Sequence, residues 1–249
     1  MLNPAQVGPY RIALLDPPSP DMTIQAVQGW RARFDSARAV LYYPWLRTEP
    51  LNRGTLGLRA TPPCGHLAGL IALSEAQSGI HRAPANLTLR ACKGLTLGID
   101  ETRHGQLNAL GINVLRQLDG RGIRIMGART LSSDTDWHYL NVRRLVDALE
   151  RTLEQQLQWA VFEPHSLTLR QAVRFSLLNL MGRLWRQGAL LGATADQAFS
   201  VKCDEDNNPA AQRDQGRFLA EIRLAPSVPC EFISVRLGRT LDALDIQEL

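Results

Sequence analysis

The chain has 249 residues, 45% of them apolar, which is enough to bury a full core at a length that suits one large domain or two modest ones. Its formal charge is only +4, and the basic residues are spread along the chain instead of forming a stripe, which argues against a nucleic-acid partner. Lys93 and Lys202 are the only lysines among 28 basic side chains, so the positive charge is nearly all arginine, whose planar fork suits carboxylate pairing at interfaces.

Cys64, Cys92, Cys203 and Cys230 lie far apart with no CxxC pair. Neither a zinc ribbon nor a disulfide framework is signalled, and buried thiols are expected. Pro4 and Pro9 interrupt the N-terminus where a signal peptide needs an unbroken apolar run, and no stretch reaches the roughly 20 apolar residues of a membrane span. These features predict a protein made in the cytoplasm without a signal peptide and without direct membrane insertion.

In chain order, a stub over residues 1–9 leads into YRIALL (10–15), an apolar run ended by Asp16-Pro17-Pro18 and read as a buried strand. Ile24, Val27, Trp30 and Phe34 recur at helical spacing over 23–34, with Asp21 or Thr23 able to cap the start. VLYY (40–43), closed by Pro44, is a second strand, and the strand–helix–strand order favours a parallel βαβ unit. A Gly- and Pro-containing loop over 52–63 precedes a helix over 64–77 that Gly79 ends. Loops and short strands are expected over 80–99, then a short helix over 101–110. Strands over 112–115 and 123–126 flank Asp119-Gly120-Arg121-Gly122, and that spacing predicts a hairpin.

Asn141 can cap a long helix with one apolar stripe, Val142, Leu145, Val146, Leu149, Leu153 and Leu157, while Arg143, Asp147, Arg151 and Glu154 are expected to face water. After a short run over 159–162, Ser166 can cap a second helix to about Gln187. Its stripe is Leu169, Val173, Leu177, Leu180 and Leu184, and a second apolar set of Phe175, Leu178 and Trp185 points to a helix set between two layers or within a subunit interface. Strand candidates follow over 199–203, 218–224 and 231–237, with a polar, mobile loop over 204–216. The fold class expected is α/β, a mixed sheet flanked by helices, as a single domain over 1–249. The extended C-terminal strand can complete a sheet of its own subunit or join the edge of a neighbour's.

Residue types for catalysis occur without the spacing that catalysis needs. Ser132-Ser133-Asp134 and His138 are so close in sequence that a turn and a helix cap are the expected outcome, and no G-x-S-x-G elbow is present. Gly120-Arg121-Gly122 lacks the rest of a phosphate-binding motif and reads as a tight turn. His66, His81, His104, His138 and His165 are scattered, while Asp100-Glu101 and Asp204-Glu205-Asp206 read as solvated loop acids. No catalytic residue, metal ligand or cofactor is assigned.

Longer strings carry a resemblance. VLYYPWLR (40–47), PPCGHLAGLIALSEAQSGIHRAPAN (62–86), LNALGINVLRQLDGRGIRIMGARTLSS (107–133), WHYLNVRRL (137–145), QWAVFEP (158–164), LWRQGALLGATADQAFSVKCD (184–204) and EIRLAPSVPCEFISVRL (221–237) together resemble the contractile tail sheath family of phages and related bacterial injection machines. The resemblance implies a non-enzymatic subunit that polymerises with itself as stacked hexameric rings around an inner tube protein, with baseplate and terminator proteins at the ends. It implies a place in a phage tail or tail-like particle, and contraction driven by energy stored at assembly. The family's core has been likened to subtilisin, but no triad supports a protease here. Residues 218–249 then become a C-terminal β segment and linking arm, with Glu231, Phe232, Ile233, Ser234, Val235, Arg236 and Leu237 as the intersubunit linking strand. Arg170, Arg174, Arg183 and Arg186 become tube-contact candidates. Because typical sheath subunits carry an N-terminal arm where this chain has a stub, three roles remain open: a small sheath variant, a terminal or baseplate-proximal subunit, or one that receives linking strands without donating them. A soluble α/β enzyme sharing only the core is the alternative of a different class.

Overall fold

The computed structural model describes residues 10–50 and 57–231, and the backbone of two C-terminal strands at 235–239 and 244–248. Its centre is a four-stranded mixed sheet. Strand β1 (Ala13–Leu15) runs into helix α1 (Ile24–Arg31), and β2 (Ala39–Tyr43) returns parallel to β1, which completes the expected βαβ unit. The Thr23 hydroxyl caps α1 by accepting from the Ala26 N–H at 3.2 Å. Every residue of β2 is buried. Val40 and Tyr42 enter one core layer and Ala39, Leu41 and Tyr43 the other, so a strand covered on both faces reads as an unbroken apolar run.

In the sequence between β2 and the next strand of this sheet, β3 (Leu46–Thr48), β4 (Arg59–Thr61) and β5 (Gly94–Leu95) form a small separate antiparallel sheet in the order β4-β3-β5. Helix α2 (Cys64–Ser78) ends at Gly79, whose φ of +88° suits a residue without a Cβ. Pro63 gives α2 no side-chain cap, and Asp16 supplies one from the turn after β1, accepting from the Cys64 N–H at 3.1 Å. After α3 (Glu101–Ala109), β6 (Ile112–Leu118) pairs parallel with β2 and antiparallel with β7 (Gly122–Met126), giving the order β1-β2-β6-β7. The hairpin turn holds Gly120 and Gly122 at φ +67° and +73°, as its glycines predict. Leu67 and Ile71 of α2 cover one face of the sheet, and Val27 of α1 with Leu107 of α3 covers the other.

A second body is built from α4 (Leu140–Gln156), α5 (Leu167–Arg186), α6 (Ala195–Ala198), β8 (Phe199–Lys202), α7 (Ala210–Arg213) and β9 (Glu221–Leu224), with β8 and β9 antiparallel. Ser166 caps α5 as expected, its Oγ accepting from the Leu169 N–H at 3.1 Å. Leu169, Val173, Leu177, Leu180 and Met181 pack against Leu149, Val201 and Cys203. Helix α4 belongs to both bodies, since Leu140 enters the sheet's core and Leu149 enters this one.

Three expectations for this region are corrected. Asn141 does not cap α4: Tyr139 holds that position, and the buried Asn141 amide donates to the carbonyls of His81 and Ser227, each at 2.9 Å. Arg143 and Asp147 do not face water, being 7% and 5% exposed. Nor is 204–216 simply the polar, mobile loop expected, because it contains α7 and the Asn208 side chain, 1% exposed, bonds the backbone of Asp204 and Leu219. Among the described residues, β10 (Val235–Arg239) and β11 (Leu244–Glu248) pair antiparallel as a separate two-stranded sheet.

Candidate functional site

The residue types that suggested hydrolysis are occupied in local structure. The Ser132 hydroxyl accepts from the Asp134 N–H at 3.1 Å, and Asp134 in turn caps a short 3₁₀ turn by accepting from Asp136 at 3.0 Å. Ser133 donates its hydroxyl and its N–H to Asp35, at 2.6 and 2.9 Å, and these bonds hold the Asp35 carboxyl below its usual range. The acidic residues are likewise engaged: Glu205 pairs with Arg170, Asp206 with Lys202, and Glu101, the first residue of α3, with Arg116. Among the described residues no group of three or more His, Cys, Asp or Glu side chains is arranged to hold a metal ion, and no helix is long and apolar enough to cross a membrane.

The cysteines divide differently from the expectation. Cys203 is buried, Cys64 and Cys92 are half-buried and Cys230 is exposed. Burial, with the nearby Asp16 carboxylate, pushes the Cys64 thiol up to about 11, so it stays protonated at neutral pH and is a poor nucleophile.

The candidate contact surfaces are more informative. Of the four arginines on α5, Arg174, Arg183 and Arg186 are exposed, whereas Arg170 is 3% exposed and its guanidinium is tied to Glu205 at 3.1 Å. Arg170 is therefore not a surface residue: it falls on the face of α5 that carries the buried stripe. In the second apolar set of this helix, Leu178 and Trp185 pack against the subunit's own clusters, and the Trp185 indole N–H reaches the Gly192 carbonyl at 2.9 Å. Phe175 alone of that set is open, at 68% exposure. The corner between α4 and α5 adds Trp159, Val161 and Leu167, all exposed, and Phe162, which sits fully exposed at φ +69°.

Within the expected linking strand, Glu231 lies outside any strand, and its carboxylate is bound by Arg129, whose Nε stands 3.0 Å from both oxygens. Phe232, Ile233 and Ser234 lie outside the described residues. Val235, Arg236 and Leu237 fall in β10, opposite Glu248, Gln247 and Ile246 of β11. No local signal pointed to Arg129, which is 102 residues from its partner.

The two bodies meet through a charged joint. Arg38, just before β2, makes a bidentate pair with Asp147 of α4 at 2.7 and 2.8 Å. Arg143 donates to the same carboxylate, with its guanidinium carbon 4.1 Å from the centre of the Trp137 ring.

Comparison with known proteins divides the chain shortly before α4. Residues 4–131 match the phage tail sheath protein central domain, and residues 132–238 match the phage tail sheath C-terminal domain. A prophage protein of Pseudomonas aeruginosa (strain UCBPP-PA14), named as a major tail sheath protein, is 30% identical over 235 residues, covering 92% of this chain and 58% of its own length. The tail sheath protein of Escherichia phage P2 is 24% identical over 86% of this chain and 53% of its own. The chain thus spans about half the length of these curated relatives. Among solved structures, a chain of the contracted PVC sheath complex, from an extracellular contractile injection system, superposes with a TM-score of 0.83 at 28% identity, over 93% of this chain and 64% of that one. A chain of the contracted helical sheath of the anti-feeding prophage gives 0.79 at 32% identity, over 96% and 64%.

Proposed function

This chain belongs to the phage tail sheath family, and we propose that it acts as a structural subunit of a contractile sheath, polymerising as stacked hexameric rings around an inner tube protein. The observation that carries this reading is the superposition of nearly the whole chain on a chain of a contracted sheath complex. In this reading the subunits assemble in an extended lattice and relax to a shorter, wider one, driven by energy stored at assembly and without bound nucleotide. The contacts between copies must then exchange without losing connection. Backbone pairing by the terminal β segment, with Val235, Arg236 and Leu237 in it, serves as the hinged link, because main-chain hydrogen bonds hold a neighbour without depending on one packing of side chains.

In this reading Arg174, Arg183 and Arg186, the exposed arginines of α5, meet an acidic tube surface, and the role is structural, not catalytic. Residues 1–249 work as one unit in this reading, since α4 contributes to the cores of both bodies. A baseplate-proximal role is the second reading, favoured by a chain of the anti-feeding prophage baseplate that superposes with a TM-score of 0.79 at 31% identity. The ends of the particle then supply its baseplate and terminator partners.

Negative-stain imaging of the purified protein, alone and with its cognate tube, tests the assembly. Rings or tubular polymers are expected, and deleting residues 232–249 is expected to abolish ring stacking. A persistent monomer with hydrolytic activity would overturn the reading, and unchanged polymers after the deletion would remove the linking role.

A further inference from the structure

The segment after β9 is tied to the body at successive points. The Ala225 N–H donates to the Ala198 carbonyl at 2.9 Å, and Ser227 bonds Ala189 through its N–H at 3.0 Å and Gly188 through its hydroxyl at 2.7 Å. The Ser227 carbonyl also accepts from the buried Asn141 amide. The chain then leaves the α4–α5 body and reaches the sheet body, where Glu231 meets Arg129 and Asn108. Arg129 donates from Nε and Nη2, and the Asn108 amide approaches Glu231 Oε2 at 3.4 Å. The paired side chains are 14% and 13% exposed, so water screens this contact far less than it does a surface ion pair.

The receiving side is rigid in its own right. The Arg129 N–H donates to Asn113 Oδ1 at 2.7 Å, its carbonyl accepts from Asn113 Nδ2 at 2.8 Å, and its Nη1 holds the Asn108 carbonyl at 3.0 Å. Asn113 is fully buried in β6 and also donates to the Leu41 carbonyl of β2. The Arg129 backbone is thus anchored to the centre of the sheet and its guanidinium to the end of α3 by bonds that do not involve Glu231, and its fork fixes the direction of Glu231 as well as its position.

We propose that Arg129 and Asn108 form a latch for Glu231 that sets where, and in which direction, residues 232 onward leave the subunit, so that they are presented for pairing with a second copy of this chain. The pairing rests on the sheath reading above; the latch itself rests on the contacts just described. Without it, neither the position nor the direction of the Glu231 side chain is fixed by the sheet body. A segment whose start is no longer directed explores more conformations and loses more freedom when it pairs, so assembly weakens although no contact between copies has changed.

The test uses the full chain with Arg129→Gln, Glu231→Gln and the double variant. Hydrogen–deuterium exchange on unassembled protein reads the latch, and pelleting with negative-stain imaging reads assembly. Each single variant is expected to speed exchange over residues 228–239 at least tenfold, to leave the peptides of β2 and α5 unchanged, and to raise the concentration needed for polymer about tenfold. The double variant should cost no more than either single one, because both remove the same contact. Unchanged exchange in both single variants would refute the latch, and faster exchange with undiminished polymer would refute its part in assembly. If the wild-type chain forms no polymer, the sheath reading fails while exchange still decides the latch.

Discussion

Asp147 shows how much one position can depend on partners that are distant in sequence. Its carboxylate receives both arms of Arg38 and the Arg143 guanidinium, and all three groups lie at the seam between the sheet body and the helical body. The pattern of α4 placed Arg143 and Asp147 on the water side because a helical wheel assumes burial on one face only. Arg38 comes from 109 residues away and covers the other face, which periodicity within α4 cannot register. Removing the carboxylate leaves the guanidinium of Arg143, 9% exposed, without its closest counter-charge. Asp147→Ala is therefore expected to lose about 3–5 kcal/mol, read as a lower midpoint in urea unfolding. A loss under about 1 kcal/mol would place this pair with ordinary surface ion pairs.

At the level of elements, what was legible in the sequence is what is decided locally. The caps Thr23 and Ser166, the breaker Gly79 and the Gly120/Gly122 turn act within a few residues of the structure they fix, and all four occur where the sequence predicts them. The strands β3, β4 and β5 have two or three residues each, too few to show any alternation, and their pairing is set by the fold around them. Asp16 caps α2 across 48 residues, and Arg129 reaches Glu231 across 102, so neither contact leaves a local trace. The same limit applies to the centre of the sheet. Gly127, just after β7, has φ +150°, and a Cβ there would stand 2.7 Å from Asn113 Oδ1. Gly127→Ala must displace the side chain that joins β2, β6 and the Arg129 backbone, and it adds backbone strain. A loss of about 3 kcal/mol is expected, as a lower urea midpoint with an unchanged m-value. An unaltered midpoint would show that Asn113 can move aside freely.

At the scale of the whole molecule, each body has its own core, and among the described residues α5 and the corner before it leave Trp159, Val161, Phe162, Leu167 and Phe175 exposed. The second apolar set on this helix suggested a position between layers or at an interface, and the structure separates its members. Leu178 and Trp185 are used inside the subunit, while Phe175 points outward. An aromatic side chain 68% exposed contributes little to the stability of the free subunit, so Phe175→Ser should change unfolding free energy by no more than about 0.5 kcal/mol. If the proposed lattice covers the same ring, its burial supports association by about 1.5–3 kcal/mol for each contact it makes. The expected result is a soluble variant with wild-type unfolding and a polymer that forms only at higher protein concentration, measured by pelleting across a dilution series. Equal polymer yield at every dilution would assign the outer face of α5 to solvent and leave the connection between copies to the terminal strands. A fall in both stability and assembly would instead mean that Phe175 supports its own subunit's core. In the proposed contracting lattice, copies exchange contacts while the subunit fold persists, and a side chain that matters only to assembly is the kind such a surface requires.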